Sequence, residues 1–429
     1  LRPRLIVGSA TFFDAYDALS LAFVLPTLVR AWQIPPQRIG LLIAAGYLGQ
    51  LLGALLFGWL AERVGRLRSV AGAVFVMSVM SLACAFTGSY GALLACRFVQ
   101  GIGVGGEVPV AAVYINELSK AHGRGRFFLL YEMIFPIGLM MTGQIGALLV
   151  PAFGWQVMFL VGGIPGLVIA WLVLTLPESP RWLISKGRLA EAEAVVRSLE
   201  ASTDRRVDSP SQDAQPARPA AAGPRASRWA ELFSRFYVGR TIVVWSLWAT
   251  AYFVTNGLNN WMPTLYNNVY HLDLPTALRA GTLTNVAQVA ILFGCAFFID
   301  RIGRRTWSVA CFGTAAVLLA VLGTVGADSV TSVIVLVTLA YGTLGSVNAV
   351  LYLYTPEIYP TRMRALGTGS ATCWLRVASA AGPLLVGYLV AADGIPSVFL
   401  MFAAVAAAGA LAAMFMLETR NRRLEEIAP

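Results

Sequence analysis

Apolar stretches of about 19 to 27 residues recur along the chain between short polar breaks, and this alternation restricts the fold more than any single motif. Each stretch can cross a hydrocarbon core of roughly 30 Å as a helix. Twelve are read: 5–29, 39–61, 69–88, 91–116, 126–150, 155–176, 240–262, 280–300, 307–326, 330–355, 366–391 and 396–417. Only 13% of the 429 residues are charged, half of the roughly 25% that an average soluble surface needs. An ordinary soluble enzyme is excluded. The first stretch is too long for a removable signal, carries Asp14 and Asp17, and lacks a cleavage site, so it is read as a membrane helix.

The net charge of +10 does not mark a nucleic-acid binder, because its placement follows topology. With both ends of the chain on one side, 27 of the 32 Lys and Arg fall in the loops and tails of that side. The opposite loops hold Arg30, Arg38 and Arg279, while Arg97 and Arg376 lie within stretches. Such asymmetry places both termini in the cytoplasm. Thirty of the 32 basic residues are arginine, the habit of a GC-rich bacterial genome, so the expected home is a bacterial inner membrane. All five cysteines (Cys84, Cys96, Cys295, Cys311, Cys373) fall in apolar stretches without metal-ligand spacing. His122 and His271 sit in opposite loops. No metal site, cofactor or catalytic constellation is expected.

The chain also repeats itself. Glu62 in GWLAERVGRLR returns as Asp300 in CAFFIDRIGRR, 238 residues later. Glu117 and Arg124 return as Glu357 and Arg364, and Glu178 of LPESPR returns as Glu418 of LETR, each shifted by 240. Two parallel six-helix halves account for this, because an even helix count restores orientation. The expected organisation is an all-α membrane protein with a bundle at 1–176, a cytoplasmic linker at 177–239, a second bundle at 240–417 and a tail at 418–429. Within the linker, 187–200 reads as a short amphipathic helix and 201–228 as a flexible segment. Gly58 and Gly65 suit a tight turn between helices 2 and 3. A G-x-G-x-x-G at Gly101, Gly103 and Gly106 lies inside a long apolar stretch rather than after a strand, so it reads as close helix packing and not as a nucleotide loop.

These signatures, together with RFVQGIGVGGE, PESPRWL and TPEIYPTRMRALGTG, resemble the major facilitator superfamily over essentially the whole chain. The resemblance implies two six-helix bundles rocking about a central cavity. Two positions depart from the pattern: Glu62 stands where the family carries Asp, and Ala296 where it carries Gly. On the cytoplasmic face Glu62, Glu117, Arg124, Glu178, Arg181, Asp300, Glu357, Arg364 and Glu418 are expected to form ion pairs that hold the inner gate shut and break on opening. The plain alternative is topology charge.

A charge at bilayer depth costs about 2.5–3.5 kcal/mol on insertion scales, so it usually serves function. The candidates are Asp14, Asp17, Arg97, Glu107, Glu132 and Arg376. Asp14 and Asp17 share a helix face, and Asp17 and Arg376 lie about 18 Å and 15 Å into their helices, near the midplane. Asp14, Asp17 and Glu132 are the expected proton carriers, with static pairing to Arg97 or Arg376 as the alternative. Arg376 can hold a carboxylate in bidentate geometry. The seventh stretch carries a polar and aromatic stripe, Trp248, Tyr252, Asn256, Asn259 and Asn260, which Pro263 is expected to end. Tyr16, Gln288, Asn348 and Tyr352 are expected to complete a site for a flat ligand. Trp261 and Tyr266 read as interface anchors.

Within the superfamily, FFDAYDALSLAFVLP, GGEVPVA, RGRFFLLYE, YTPEIYP and LRVASAAGPLLVG resemble most closely the bacterial niacin transporters, relatives of the synaptic vesicle glycoproteins. Arg376 falls where that family carries an arginine. The D-x-x-D pair resembles aromatic acid/proton symporters, whereas TNGLNN in the seventh stretch lacks the glutamine pair of the sugar porters. The resemblance implies import of nicotinate or a similar small aromatic carboxylate by proton symport, with the proton as coupling ion and a monomeric carrier. A benzoate-type symporter, a sugar-porter-like carrier and a non-transporting receptor or scaffold are the alternatives.

The topology is checked by thiol labelling of a variant lacking the native cysteines. A membrane-impermeant maleimide should reach His271→Cys from outside intact cells, and Ser211→Cys only after permeabilisation. The reverse pattern would invert the assignment.

Overall fold

With no water to bond in a hydrocarbon surround, each apolar stretch must close its own backbone hydrogen bonds as a helix. The computed structural model describes residues 2–118, 133–201, 229–325, 329–360 and 363–420. Twelve long helices run through them: α1 (Arg2–Trp32), α2 (Pro36–Val64), α3 (Arg66–Ala85), α4 (Tyr90–Leu118), α5 (Ile134–Phe153), α6 (Gln156–Leu174), α7 (Val238–Asn268), α8 (Leu274–Ile302), α9 (Arg304–Val325), α10 (Val330–Glu357), α11 (Arg364–Ala392) and α12 (Ile395–Met414). Ten are long and apolar enough to cross a membrane; α4 and α7 complete the set. The chain is an all-α membrane protein of twelve helices in two six-helix bundles.

Helices α1–α6 and α7–α12 pack as two halves that meet along α1 with α7, α2 with α11, and α5 with α8. Glycines bring the helices together. A Cβ on Gly49 would run into the carbonyl of Phe98, one on Gly101 into that of Gly46, and one on Gly105 into that of Gln50. The glycine run of α4 is therefore a packing surface, as its setting within an apolar stretch implies. Of the two glycines expected to turn α2 into α3, only Gly65 does so, at φ +116°. Gly58 lies inside α2 with open space around it. Gly303 repeats the turn between α8 and α9 at φ +98°.

Each of those turns is held by a carboxylate from the end of its own half. Glu178 accepts from the backbone N–H of Arg66 at 3.1 Å and of Leu67 at 3.2 Å. Its repeat, Glu418, accepts from Arg304 at 3.0 Å and Arg305 at 3.1 Å. A negative charge there satisfies the free N–H groups and meets the positive end of the helix dipole. After α6, Ser179 caps a short helix, Pro180–Ser185. The amphipathic helix expected at 187–200 forms at Leu189–Ala201. It rests Ala192 on Trp182 and Leu183. The expected flexible segment at 201–228 lies, from 202 on, outside the described residues.

The seventh helix departs from expectation. Pro263 does not end it; α7 continues to Asn268. A proline survives there because neighbouring helices shield the backbone groups it frees, and its ring packs where a Cβ on Gly281 of α8 would stand. Trp261 and Tyr266 are not interface anchors. Both are buried, and the Trp261 indole donates to the Pro383 carbonyl at 3.0 Å. The bond to Pro383 sets the Trp261 ring in the join between α7 and α11, and the continued helix carries Tyr266 as a buried residue.

Removing the carboxylate that caps α3 should cost about 1–2 kcal/mol. Glu178→Ala should therefore lower the melting midpoint of the detergent-purified protein. Glu62→Ala removes an ion pair whose carboxylate is 67% exposed and should cost under about 0.5 kcal/mol. Equal effects would contradict the cap.

Candidate functional site

A cavity lies between the halves at mid-depth, and the walls differ in character. From the first half come mostly apolar side chains, among them Leu19, Val104, Val108, Phe135, Pro136 and Leu139. From the second come Tyr252, Asn256, Asn259, Gln288, Tyr341, Asn348 and Tyr352. Asp14 and Arg376 are the only charged side chains among the described lining residues. Helix geometry explains the second wall. Positions 341, 345, 348 and 352 of α10 fall on one face, as do 252, 256 and 259 of α7.

The polar wall is held by its own hydrogen bonds. Asn259 and Asn285 exchange amide bonds at 3.3 and 3.2 Å, and the Tyr341 hydroxyl donates to Gln288 Oε1 at 3.1 Å. Asn256 donates to Ser379 at 2.7 Å. Asn348 donates to Thr255 at 3.3 Å, while its buried Oδ1 has no partner. Trp248 does not line the cavity. Its indole donates to Thr355 at 2.9 Å, and its ring stacks on Tyr252 at 5.6 Å and meets Tyr352 edge-on at 4.7 Å. It therefore fixes the two tyrosines that do face the cavity.

Arg376 reaches across to the other half. Its Nη1 donates to Gln50 Oε1 at 2.9 Å and its Nη2 to the Gly105 carbonyl at 3.4 Å. Tyr47 is a second bridge, donating to Asn256 Oδ1 at 3.1 Å and accepting from Asn260 at 3.1 Å. A third stands at the helix ends, where Arg30 donates to Asn268 Oδ1 at 3.1 Å and to the Asn267 carbonyl at 3.0 Å. These three bridges between the halves lie between mid-depth and the face opposite the basic loops. The cavity itself extends the other way, to Met133 at the start of α5 and Ala296 near the end of α8. This conformation is shut on the face opposite the basic loops.

The two aspartates of α1 have separate surroundings. Asp14 faces the cavity, whereas Asp17 turns into the first bundle, where the Ser81 hydroxyl donates to its Oδ1 at 3.1 Å. Arg97 reaches the Asp17 backbone carbonyl at 3.3 Å and Gln100 at 2.7 Å, and it does not line the cavity. A step of three residues leaves the two side chains about 60° apart around α1 and about 4.5 Å apart along it, so they share a broad face yet meet different neighbours. Tyr16 is also not a lining residue; it is buried, and its hydroxyl donates to the Met158 carbonyl at 3.1 Å. Asn260 meets Tyr47 behind the wall. Glu132 and Arg124 lie outside the described residues, as does the side chain of Glu117.

With the cavity open toward this face, the described charges of the basic loops pair within each half. Glu62 pairs with Arg66 at 2.7 Å and Asp300 with Arg304 at 2.8 Å, both one turn apart. Arg304 also meets Glu357 at 3.4 Å, which accepts from the Thr419 hydroxyl at 2.6 Å. Arg364 donates to the Tyr359 carbonyl at 3.2 Å, and Arg181 is exposed. Each described pair stays within one half. In this conformation these residues, with the capping Glu178 and Glu418, brace the loops of the bundles and do not tie the bundles together.

Tyr47, Gln50, Asn285 and Tyr341 escaped the sequence reading. A signal was present for three of them: Tyr47 and Gln50 are three apart in an apolar helix, and Tyr341 is eleven residues before Tyr352, three turns away on one face.

Residues 20–429 match the model of the sugar (and other) transporter family. The chain is 33% identical over 425 residues to the niacin transporter NiaP of Acinetobacter baylyi, covering 98% of this chain and 95% of that protein. It is 28% identical to the 4-hydroxybenzoate transporter PcaK of the same organism, over 83% of this chain and 77% of that one. Among solved structures, the partially occluded inward-open xylose transporter XylE from E. coli superposes with a TM-score of 0.75 at 18% identity, covering 98% and 99% of the two chains.

The geometry of the closed face is testable. In a cysteine-free background, Arg30→Cys with Asn268→Cys should be bridged by a short bifunctional thiol reagent in the resting protein. A pair at Met133 and Ala296, on opposite sides of the opening, should resist the same reagent; bridging of the second pair alone would reverse the assignment.

Proposed function

Since the chain belongs to the sugar (and other) transporter family, a family of the major facilitator fold whose members are transporters and not enzymes, we propose that it imports nicotinate or a similar small aromatic carboxylate by proton symport across a bacterial inner membrane, with both termini cytoplasmic. The observation that carries this reading is the single cavity cation, Arg376, facing a wall of tyrosines and amides. A guanidinium binds a carboxylate through two parallel hydrogen bonds. Tyr252 and Tyr352, set by Trp248, offer ring faces for a flat ligand. The unpartnered Oδ1 of Asn348 is an acceptor for a ring N–H or hydroxyl. The niacin and 4-hydroxybenzoate carriers among the relatives support the same ligand class.

The transport cycle follows from the bonds between the halves. In this conformation Arg376 is tied to two neutral acceptors of the first half, Gln50 and the Gly105 carbonyl. A ligand carboxylate makes stronger, charge-assisted bonds and displaces them. Opening to the outside requires the Arg30 and Tyr47 bridges to part. Each bond is worth about 1 kcal/mol net, so together they amount to a few kcal/mol, the scale of a two-state equilibrium that a ligand can shift. Asp14 faces the cavity and is the carboxyl through which the coupling proton enters. Asp17, turned away and bonded to Ser81, is assigned to the frame of the bundle.

Uptake of radiolabelled nicotinate into proteoliposomes under an inward proton gradient tests this. Arg376→Ala should reduce uptake at least about thirtyfold, the loss expected for a buried charge pair, and Arg376→Lys should restore only part of it. Uptake by Arg376→Ala equal to that of the unmodified protein would overturn the site.

A further inference from the structure

Glu107 lies on α4, fully buried and outside the cavity lining. Its Oε1 is 3.1 Å from the Thr11 hydroxyl, and its Oε2 has no hydrogen-bond partner among the described residues. No ion pair reaches it among the described residues. Thr11 does line the cavity, and so does Asp14, on the same face of α1 with a buried, unpartnered Oδ1. Thr11 therefore stands between a cavity open to the basic face and a carboxyl that no water in that cavity touches directly.

The acceptors in reach of the Thr11 hydroxyl include Glu107 Oε1 at 3.1 Å and the Val7 carbonyl at 3.3 Å. This gives two complete hydrogen-bond arrangements. When Glu107 is ionised, Thr11 donates to it. When Glu107 is protonated, its O–H donates to Thr11 Oγ1, and the threonine proton turns to Val7. The Thr11 hydroxyl can thus serve either state of Glu107 by turning between these two acceptors.

The charges around it are few. Arg376 of α11 comes nearest from the facing half, bonded to the carbonyl of Gly105, two residues before Glu107. Asp14 lies near it on α1, whereas Asp17 is turned away and held by Ser81. Arg97 lies ten residues away on α4, about 15 Å along the axis. The charged residues of α2 and α3 (Arg38, Glu62, Arg63, Arg66 and Arg68) all sit in end turns. A buried carboxylate without a counter-cation is costly, and a protonated one is not.

We propose that Glu107 stores the coupling proton of this carrier, loaded and unloaded from the cavity through the Thr11 hydroxyl, with Asp14 as the entry carboxyl. This rests on the proton-symport reading above. In the transfer, protonated Asp14 gives its proton to Thr11 Oγ1 and is left a carboxylate, or a hydronium ion in the cavity does so and is left as water; one O–H bond forms on Oγ1 while the original hydroxyl bond breaks toward Glu107 Oε1. The threonine is left neutral, and Glu107 becomes a neutral acid.

The test compares the unmodified protein, Glu107→Gln and Thr11→Val in proteoliposomes, using radiolabelled nicotinate. Two readouts are needed: accumulation driven by an inward proton gradient, and counterflow exchange without a gradient. Glu107→Gln should lose accumulation by about a hundredfold while exchanging nicotinate, and Thr11→Val should slow accumulation by about the same factor, the lower end of the effect of removing a positioned proton-transfer group. Gradient-driven accumulation by Glu107→Gln at the unmodified rate would overturn the proposal alone. Should that variant fail to fold, an unslowed Thr11→Val would overturn it equally. Failure of the unmodified protein to accumulate nicotinate on a gradient would overturn the symport reading, and the storage role with it.

Discussion

A guanidinium held at the middle of a membrane must always be bonded to something, and the arrangement of both bundles follows from how Arg376 meets that requirement. Arginine does not shed its charge at any ordinary pH. Its place on α11 puts it beside α2 and α4 of the other half, where Gln50 and the Gly105 carbonyl receive it. Those acceptors are available because Gly105 has no side chain to keep α4 from α2. Close packing within the first bundle thus supplies the bond that joins it to the second. Both acceptors are neutral, so an anion arriving in the cavity wins the arginine from them. In the proposed cycle, binding and the relation of the halves are coupled at one residue.

Rigid bundles are needed for such a coupling to move anything. The repeated loops provide them. Glu178 and Glu418 cap α3 and α9, and the i,i+4 pairs Glu62–Arg66 and Asp300–Arg304 sit beside those caps. Because each bond stays inside one half, it survives a rocking motion. The bonds that the proposed cycle breaks to open the other face are few and lie at Arg30 and Tyr47. This divides the polar groups into those that stiffen a bundle and those that connect two bundles, a division that sequence spacing alone does not reveal.

The twelve helices, the duplication and the polar stripe of α7 were legible because lipid imposes one periodic requirement on every span, and because charges at a 240-residue shift mark the repeat. Seven of the ten side chains expected around the ligand do line the cavity: Tyr252, Asn256, Asn259, Gln288, Asn348, Tyr352 and Arg376. Tyr16, Trp248 and Asn260 stand behind it, since a stripe fixes a helix face but not how far that face is covered by its neighbours. Asp14 and Asp17 share a stripe yet meet different partners for the same reason. Pro263 was read as a stop because its cost in water is high; within a bundle the neighbours at Gly281 make it tolerable. The ion pairs of the cytoplasmic loops were visible as residues, but which side of the bundle interface each partner occupies depends on packing.

The account turns on a carboxylate being what Arg376 recognises. Displacement of radiolabelled nicotinate from the purified protein by unlabelled competitors tests this directly. Benzoate and 4-hydroxybenzoate should displace it, while nicotinamide, which keeps the ring and loses the charge, and xylose should not. Displacement by nicotinamide as effective as by nicotinate, or by xylose at all, would contradict it.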